Sequence, residues 1–201
     1  MAIARSVVVA QGKGGVGKTS VACNVAGLAA ASGLRVLLVD LDPQGNVARD
    51  LGMERGSGND LLMALMAGAT PPIVKDVRGG LDVVPGGPDI ADLTAMAMSR
   101  AMRGEPGLSK NLNQSLASIA GNYDLILIDT PPGEKMLVEA AFGCAAAVVI
   151  PTRSDDASID GLERVAERFI AARDTNPDLE ARRSAAVRHG ITLPPPRAIS
   201  A

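Results

Sequence analysis

A glycine-rich segment near the start of the chain contains the residue types that bind phosphate. Residues 11–19 read Gln-Gly-Lys-Gly-Gly-Val-Gly-Lys-Thr and fit the pattern G-x-x-x-x-G-K-[ST]. In such a loop, backbone N–H groups surround the phosphate oxygens, the lysine approaches the terminal phosphates and the hydroxyl binds Mg²⁺. A plain strand-to-helix turn would also use glycine, but it leaves Lys18 and Thr19 unexplained. We therefore predict that the following residues bind a nucleotide: Gly12, Lys13, Gly14, Gly15, Val16, Gly17, Lys18, Thr19 and Ser20.

Aspartates follow two of the apolar runs in the sequence. The runs 36–39 and 125–128 end in Asp40 and Asp129. In an open parallel sheet, ligands lie beyond the carboxyl ends of the strands, so both side chains are expected beside the phosphate loop. Because Mg²⁺ keeps several waters that carboxylates must hold, we predict Thr19 as a direct ligand and Asp129 as a ligand through water, with Asp40 supporting the same shell. Each Asp could instead cap the element that follows it.

A third carboxylate, Asp42, lies two residues beyond the first of these strands. A carboxylate at this position could position or deprotonate a water molecule near the γ-phosphate, and positioning matters more than basicity in phosphoryl transfer. The segment 42–45 also reads as a turn, because Asp-Pro and Gln-Gly are turn-forming pairs. We favour a catalytic role for Asp42, together with Lys18.

The remaining sequence predicts a layered α/β fold. Short apolar runs that are continuous rather than alternating are typical of strands buried on both faces of a parallel sheet. Helical stretches separate them, and several end at glycine. This alternation predicts a doubly wound, mostly parallel sheet flanked by helices. The predicted strands are 7–10, 36–39, 125–128 and 147–150, with 81–84 as a weaker fifth. The predicted helices are 19–32, 59–67, 90–102, 109–120, 135–142 and 158–173.

Composition disfavours several classes of function. The 201 residues carry a net charge of −2, so any nucleic-acid contact needs a local basic patch. The two cysteines are far apart and the chain has one histidine, which disfavours a zinc or iron–sulfur site. No apolar run approaches the length of a membrane span, so we expect a cytoplasmic protein without membrane contact. Met96, Met98 and Met102 are interpreted as core residues of an amphipathic helix.

Four segments in order resemble one known family. The motifs KGGVGKT, DLDPQGN, LILIDTPP and AVVIP are similar to those of the ParA/MinD family of ATPases, which carry a deviant phosphate loop and the P-loop NTPase fold. The resemblance implies that Lys13 reaches across a dimer interface to the partner's nucleotide and that Asp42 acts on the attacking water. It further implies that Gln44 and Asn46 sense the γ-phosphate and that Pro151 belongs to the loop beside the adenine. The implied cofactors are ATP and Mg²⁺.

The small ParA type within this family implies a specific biological role. Its members form ATP-dependent homodimers, bind DNA non-specifically and interact with a ParB-like centromere-binding protein. Their weak, partner-stimulated ATP hydrolysis segregates a plasmid or a chromosome. If DNA binding is retained, we expect the cytoplasmic protein to associate with the nucleoid.

The C-terminal end departs from the family pattern. The resemblance covers residues 5–180, which we interpret as one ATPase domain, whereas residues 181–201 lack the apolar continuity of a buried strand and are expected to be a disordered tail of a shortened fold. The family's basic C-terminal helices have no match here, so DNA binding does not transfer residue by residue. Arg182, Arg183 and Arg188 form a basic cluster that either contacts phosphates or is a solvated tail.

Two other functions remain compatible with the sequence. The first is a nucleotide-responsive binding protein that hydrolyses little ATP and acts through partner contacts. The second is an ATP-dependent metabolic ligase or amidotransferase on a related phosphate-loop fold, which requires a substrate pocket for which we find no motif.

Overall fold

A seven-stranded sheet forms the centre of the computed structural model, which describes residues 2–152 and 156–181. The strands in chain order are β1 (Ile3–Val9), β2 (Val36–Asp40), β3 (Val74–Arg78), β4 (Leu81–Val84), β5 (Leu125–Asp129), β6 (Ala145–Val149) and β7 (Glu180–Ala181). Their order across the sheet is β3-β4-β2-β5-β1-β6-β7, and every pair is parallel except β3 with β4.

Helices connect the parallel strands. They are α1 (Lys18–Ala31), α2 (Asn46–Leu51), α3 (Asn59–Ala67), α4 (Leu93–Met102), α5 (Leu108–Ala117), α6 (Lys135–Cys144) and α7 (Asp156–Arg173). A 3₁₀ turn, Pro88–Asp92, leads into α4, and a second one, Ala120–Asn122, precedes β5.

Both faces of the sheet are buried. Along β2, Val36 and Leu38 pack in one apolar cluster with α1 and α2, whereas Leu37 and Val39 pack in a second cluster with α3 to α7. All four side chains are fully buried, since successive side chains of a strand point to opposite faces and helices cover each face. The predicted doubly wound α/β fold is confirmed.

Small residues allow α1 to lie close to the sheet. Ala22, Ala26 and Ala30 recur at intervals of four residues, so they share one helix face, and all three are buried. This placement brings the start of α1, and with it the phosphate loop, against the ends of β1 and β5.

The observed elements follow most of the predicted ones, with differences of one to four residues at several ends. The segment predicted as one helix over 90–102 is divided into the 3₁₀ turn and α4. Among the strands and α-helices, β3, α2 and β7 were not predicted. β3 has the polar sequence Val-Lys-Asp-Val-Arg because it is an edge strand with mostly exposed side chains, and α2 is a short helix that begins directly after the glycine of the DPQGN turn.

The prediction that the three methionines of α4 are core residues is wrong. Met96, Met98 and Met102 are 37%, 52% and 88% exposed, whereas Leu93 and Ala97 of the same helix are buried. The helix packs through Leu93 and Ala97, which lie on one face, and the methionines lie beyond that face. Helix α4 therefore has more apolar residues than its buried face can accommodate.

The structure does not describe residues 182–201, so the predictions for that part of the chain lie outside the described residues. They include the absence of a buried strand from residue 182 onwards and the basic cluster Arg182, Arg183 and Arg188. Within the described part of the chain, no helix is both long and apolar enough to cross a membrane.

Candidate nucleotide site

The predicted site residues meet at the carboxyl edge of the sheet. Asp129 at the end of β5 is in register with Val9 at the end of β1 and with Asp40 at the end of β2. The phosphate loop leaves β1 at this edge, and the DPQGN turn leaves β2 beside it. Parallel pairing therefore places segments that are distant in sequence at one crevice.

The phosphate loop curls through glycine conformations. Gly15 and Gly17 have φ angles of 74° and 90°, which residues with a Cβ rarely adopt. Gly17 directly precedes α1, so the first N–H groups of that helix are available to an anion at the loop. Thr19 and Ser20 follow in the first turn and line the cavity with Gly15, Gly17 and Lys18.

Lys18 is held inside this loop. Its Nζ donates a hydrogen bond to the carbonyl of Lys13 at 3.2 Å, and the residue is only 6% exposed. Burial lowers the pKa of Lys18, while the nearby charges of Asp129 and Asp42 oppose that shift. The ammonium group thus lies between the loop backbone and two carboxylates, where a polyphosphate would supply further negative charge.

Thr19 and Asp129 form a direct contact at the predicted metal position. The Thr19 hydroxyl donates a hydrogen bond of 2.6 Å to Oδ2 of Asp129. Burial raises the pKa of Asp129 to about 6, although this hydrogen bond acts in the opposite direction. The other oxygen, Oδ1, is buried and has no hydrogen-bond partner among the described residues. An unpaired buried carboxylate oxygen beside a hydroxyl is a donor set that fits hydrated Mg²⁺.

Asp40 organises the turn that follows β2. Its Oδ1 accepts a hydrogen bond from the N–H of Asp42 at 2.9 Å, and its Oδ2 accepts one from the N–H of Val47 at 3.2 Å. Burial raises the pKa of this fully buried carboxyl to about 7, against the effect of these hydrogen bonds. The structure thus gives both oxygens a backbone partner, and the predicted place of Asp40 in the metal shell remains a prediction.

Asp42 lies at the wall of the cavity. It is 5% exposed, and its Oδ1 accepts a hydrogen bond from the N–H of Gln44 at 2.8 Å. This is the turn geometry that the sequence also allowed, so the turn and a catalytic role are compatible in one residue. The cavity has a volume of about 300 Å³ and is lined by Gly15, Gly17, Lys18, Thr19, Ser20, Asp42, Gln44, Asn46, Arg49, Asp50 and Pro132.

A glycine loop after β4 supports this turn from the other side. A Cβ on Gly86 would lie 2.8 Å from the carbonyl oxygen of Asp42 and 2.9 Å from Cγ of Asp40. A Cβ on Gly87 would lie even closer to the backbone of Ser57. Only the fold shows that this loop, with the sequence Pro-Gly-Gly-Pro, is in contact with the site.

The remaining predicted residues lie around the loop. Pro151 follows β6, and its carbonyl accepts a hydrogen bond from the side chain of Gln11 at 3.2 Å, which ties the two loops together. Gln11 also accepts from the N–H of Gly12 at 2.7 Å. The Thr130 hydroxyl donates to the carbonyl of Val9 at 2.9 Å, which fixes the segment after β5 against the base of the phosphate loop.

Sequence reasoning missed two charged residues of the cavity, Arg49 and Asp50. Both belong to α2, and they line the cavity together with Lys18 and Asp42. The signal available in the sequence was their position directly after the DPQGN turn, but α2 itself was not predicted.

Comparisons with known proteins identify relatives of this chain. A family model described as "AAA domain" matches residues 4–181. The chromosome partitioning protein ParA of Caulobacter vibrioides is 35% identical over 182 residues, which are 88% of this chain and 66% of that protein. The chromosome-partitioning ATPase Soj of Thermus thermophilus is 34% identical over 166 residues, which are 79% of this chain and 58% of that protein.

A solved structure is similar in both fold and sequence. The crystal structure of cobyrinic acid a,c-diamide synthase from Mycobacterium smegmatis, with a bound ATP analog and magnesium, superposes with a TM-score of 0.77 at 28% identity. The match covers 88% of this chain and 72% of that one.

The fold and the site define a P-loop nucleotide-binding protein of the doubly wound α/β class. The chain belongs to the family described as "AAA domain" and to the ParA/MinD family of ATPases. It spans less than two thirds of the length of each of these two partition proteins.

Proposed function

We propose that this protein binds and hydrolyses ATP as a ParA-like partition protein. It dimerises on ATP, binds DNA non-specifically and segregates a plasmid or a chromosome together with a ParB-like partner. The observation that carries the proposal is the juxtaposition of Lys18, the Thr19–Asp129 hydrogen bond and Asp42 at one cavity wall. The relatives named ParA and Soj support the same role.

The residues divide the chemistry between them. Lys18 and the N–H groups of the loop bind the phosphates, and Thr19 and Asp129 hold Mg²⁺, directly and through water. When bound, Mg²⁺ neutralises negative charge on the phosphate oxygens. Asp42 orients the water that attacks the γ-phosphorus in line, the bond from that phosphorus to the bridging oxygen breaks, and ADP and phosphate leave. Lys13 of a second copy stabilises the developing charge.

Retention on duplex DNA tests the proposal. The purified chain is passed over immobilised non-specific duplex DNA with Mg-ATP or Mg-ADP, at low and at moderate salt, while phosphate release is measured in parallel. We expect ATP-dependent retention that falls steeply with salt, because phosphate contacts release counterions. ATP turnover without retention would contradict the DNA-binding part of the proposal, and the absence of both would contradict the partition role.

A second candidate function is ATP-dependent amidation or ligation of a small molecule. The observation that favours it is the structural similarity to cobyrinic acid a,c-diamide synthase. Phosphate release that depends on a carboxylic acid substrate and an amide donor, and that DNA leaves unchanged, would favour this candidate. Stimulation by DNA and a ParB-like partner would favour the first.

A further inference from the structure

The site contains a second cation that the phosphate-loop motif does not account for. Arg49 of α2 lines the same cavity as Lys18, Thr19 and Asp42. In the lining of this cavity, Lys18 and Arg49 are the positively charged residues, and Asp42 and Asp50 are the negatively charged ones. With Asp129 behind Thr19, the carboxylates outnumber the cations before any ligand binds.

Among the described residues, the guanidinium group of Arg49 forms hydrogen bonds only with its neighbour Asp50. Its Nε and Nη2 donate to the same oxygen, Oδ1 of Asp50, at 3.1 and 3.0 Å. The Arg49 side chain is 68% exposed. An exposed ion pair of this kind contributes little to stability, so a stronger acceptor can replace Asp50 at small cost.

A polyphosphate is such an acceptor. Its oxygens carry more charge than one carboxylate, and their spacing suits the planar, forked donors of arginine. Arginine is also the residue that stabilises transferred phosphoryl groups in other phosphate-loop enzymes.

The position of α2 favours the terminal phosphate over the rest of the nucleotide. Along the sheet edge, β2 and its following turn lie on one side of the phosphate loop, with β5 between, and β6 with Pro151 lies on the other side. If the base lies beside Pro151, the phosphate chain extends toward the side of Asp42 and Arg49.

We infer that Arg49 is a phosphate-contacting residue that exchanges Asp50 for the γ-phosphate when ATP binds. This inference rests on the proposed function, since it requires that the cavity binds ATP. We infer that Arg49 contacts the nucleotide bound by Lys18 of its own chain. Because only ATP has a γ-phosphate, this contact distinguishes ATP from ADP.

Nucleotide affinity tests the inference without relying on turnover. Dissociation constants for Mg-ATP and Mg-ADP are measured by calorimetry for wild type, Arg49→Gln and Arg49→Lys. The control is Arg103→Gln, because Arg103, which directly follows α4, also forms an exposed pair with a nearby acid, Glu105, and does not line this cavity. Thermal unfolding of each variant establishes that it is folded.

We expect Arg49→Gln to weaken ATP binding about tenfold, the effect of losing one charge-assisted hydrogen bond, and ADP binding by less than about twofold. Arg49→Lys should fall between wild type and Arg49→Gln, and Arg103→Gln should match wild type. An equal loss for both nucleotides, or no loss for either, would overturn the inference. A wild type that binds ATP without hydrolysing it would contradict the proposed ATPase, while the affinity ratio would still decide the role of Arg49. A wild type that binds no nucleotide would overturn both.

Discussion

Each aspartate at the sheet edge has a different set of partners. Asp40 accepts two backbone hydrogen bonds, Asp129 accepts one from a threonine hydroxyl and leaves one oxygen unpaired, and Asp42 lies at the cavity wall. These partners suggest separate tasks in shaping the turn, holding a hydrated cation and orienting water. We therefore propose that the same residue type has three different roles within one crevice.

The task of Asp42 can be isolated by Asp42→Asn. The amide keeps the size of the side chain and its ability to accept from the N–H of Gln44, but it orients and deprotonates water poorly. We expect ATP turnover to fall about a hundredfold, in the range typical of general-base removal, with ATP affinity changed by less than about threefold. Phosphate release and calorimetry measure the two quantities.

The control for this variant is Asp60→Asn, an exposed carboxylate in the first turn of α3. Turnover unchanged in Asp42→Asn would count against a catalytic role and leave the turn as the function of this residue.

At the scale of elements, the site depends on loops that brace one another. The DPQGN turn is held from within by Asp40 and from outside by the loop after β4, where Gly86 approaches the backbone of Asp42. The phosphate loop is tied to the end of β6 through Gln11. Rigid strands with interlocked loops position catalytic groups more accurately than isolated loops would.

Gly86→Ala tests the bracing of the DPQGN turn. The added Cβ would lie 2.8 Å from the carbonyl oxygen of Asp42, so backbone atoms must move. We expect the free energy of unfolding to fall by about 1–3 kcal/mol, as for overpacking, and ATP turnover to fall because Asp42 is displaced. Urea unfolding and phosphate release provide the measurements.

Gly121→Ala serves as the matched control, because a Cβ there would meet nothing within 4 Å. If Gly86→Ala behaves like this control in both measurements, the close approach is not important for the site.

At the amino ends of the parallel strands, an ion pair joins Arg35, directly before β2, to Asp124, directly before β5. The Arg35 side chain donates from Nε to Oδ2 of Asp124 at 3.1 Å and from Nη2 to Oδ1 at 2.9 Å. Its backbone N–H donates to Oδ2 at 3.0 Å. These hydrogen bonds hold the pKa of Asp124 well below its usual range. A carboxyl with a lowered folded-state pKa contributes stability above its unfolded pKa of about 3.9, and that contribution is lost as the pH falls toward the folded-state pKa.

Arg35→Gln should therefore lower the urea midpoint by a constant amount between pH 5 and pH 8, and by progressively less below about pH 4. The effect is modest because both side chains are partly exposed. The double variant Arg35→Gln with Asp124→Asn should lose little more than either single variant. A difference from wild type that stays constant down to pH 2 would rule out this titration as its cause.

At the scale of the whole molecule, the proposed activity involves two copies of the chain. The carbonyl of Lys13 accepts a hydrogen bond from Lys18 of the same chain, which anchors the backbone of Lys13 within the phosphate loop. The family resemblance implies that the side chain of Lys13 reaches a nucleotide held by a facing copy.

We expect Lys13→Gln to bind ATP within about threefold of wild type and to lose ATP-dependent dimerisation, because the bridging charge is absent. Light scattering with Mg-ATP and with Mg-ADP measures the molar mass, and Lys110→Gln on α5 is the surface control. Equal masses for wild type with ATP and with ADP would contradict the proposed switch between dimer and monomer.

Much of this organisation is determined by local sequence. The continuous apolar runs predicted four of the strands, with 81–84 as a weaker fifth, because strands buried on both faces require apolar residues throughout. The glycine spacing of residues 12–19 predicted the phosphate loop, because its backbone conformation requires residues without a Cβ. The terminal positions of Asp40 and Asp129 predicted that both lie at the edge that carries the phosphate loop, and the structure places them on neighbouring strands.

Other features were decided only by the tertiary structure. The contact of Gly86 with Asp42, the placement of Arg49 at the cavity and the exposure of Met102 all depend on how elements distant in sequence pack together. Local propensity and periodicity specify which elements form and which faces are apolar. They do not specify how wide a buried face is or which loop rests on which strand end, since those depend on contacts between residues far apart in the chain.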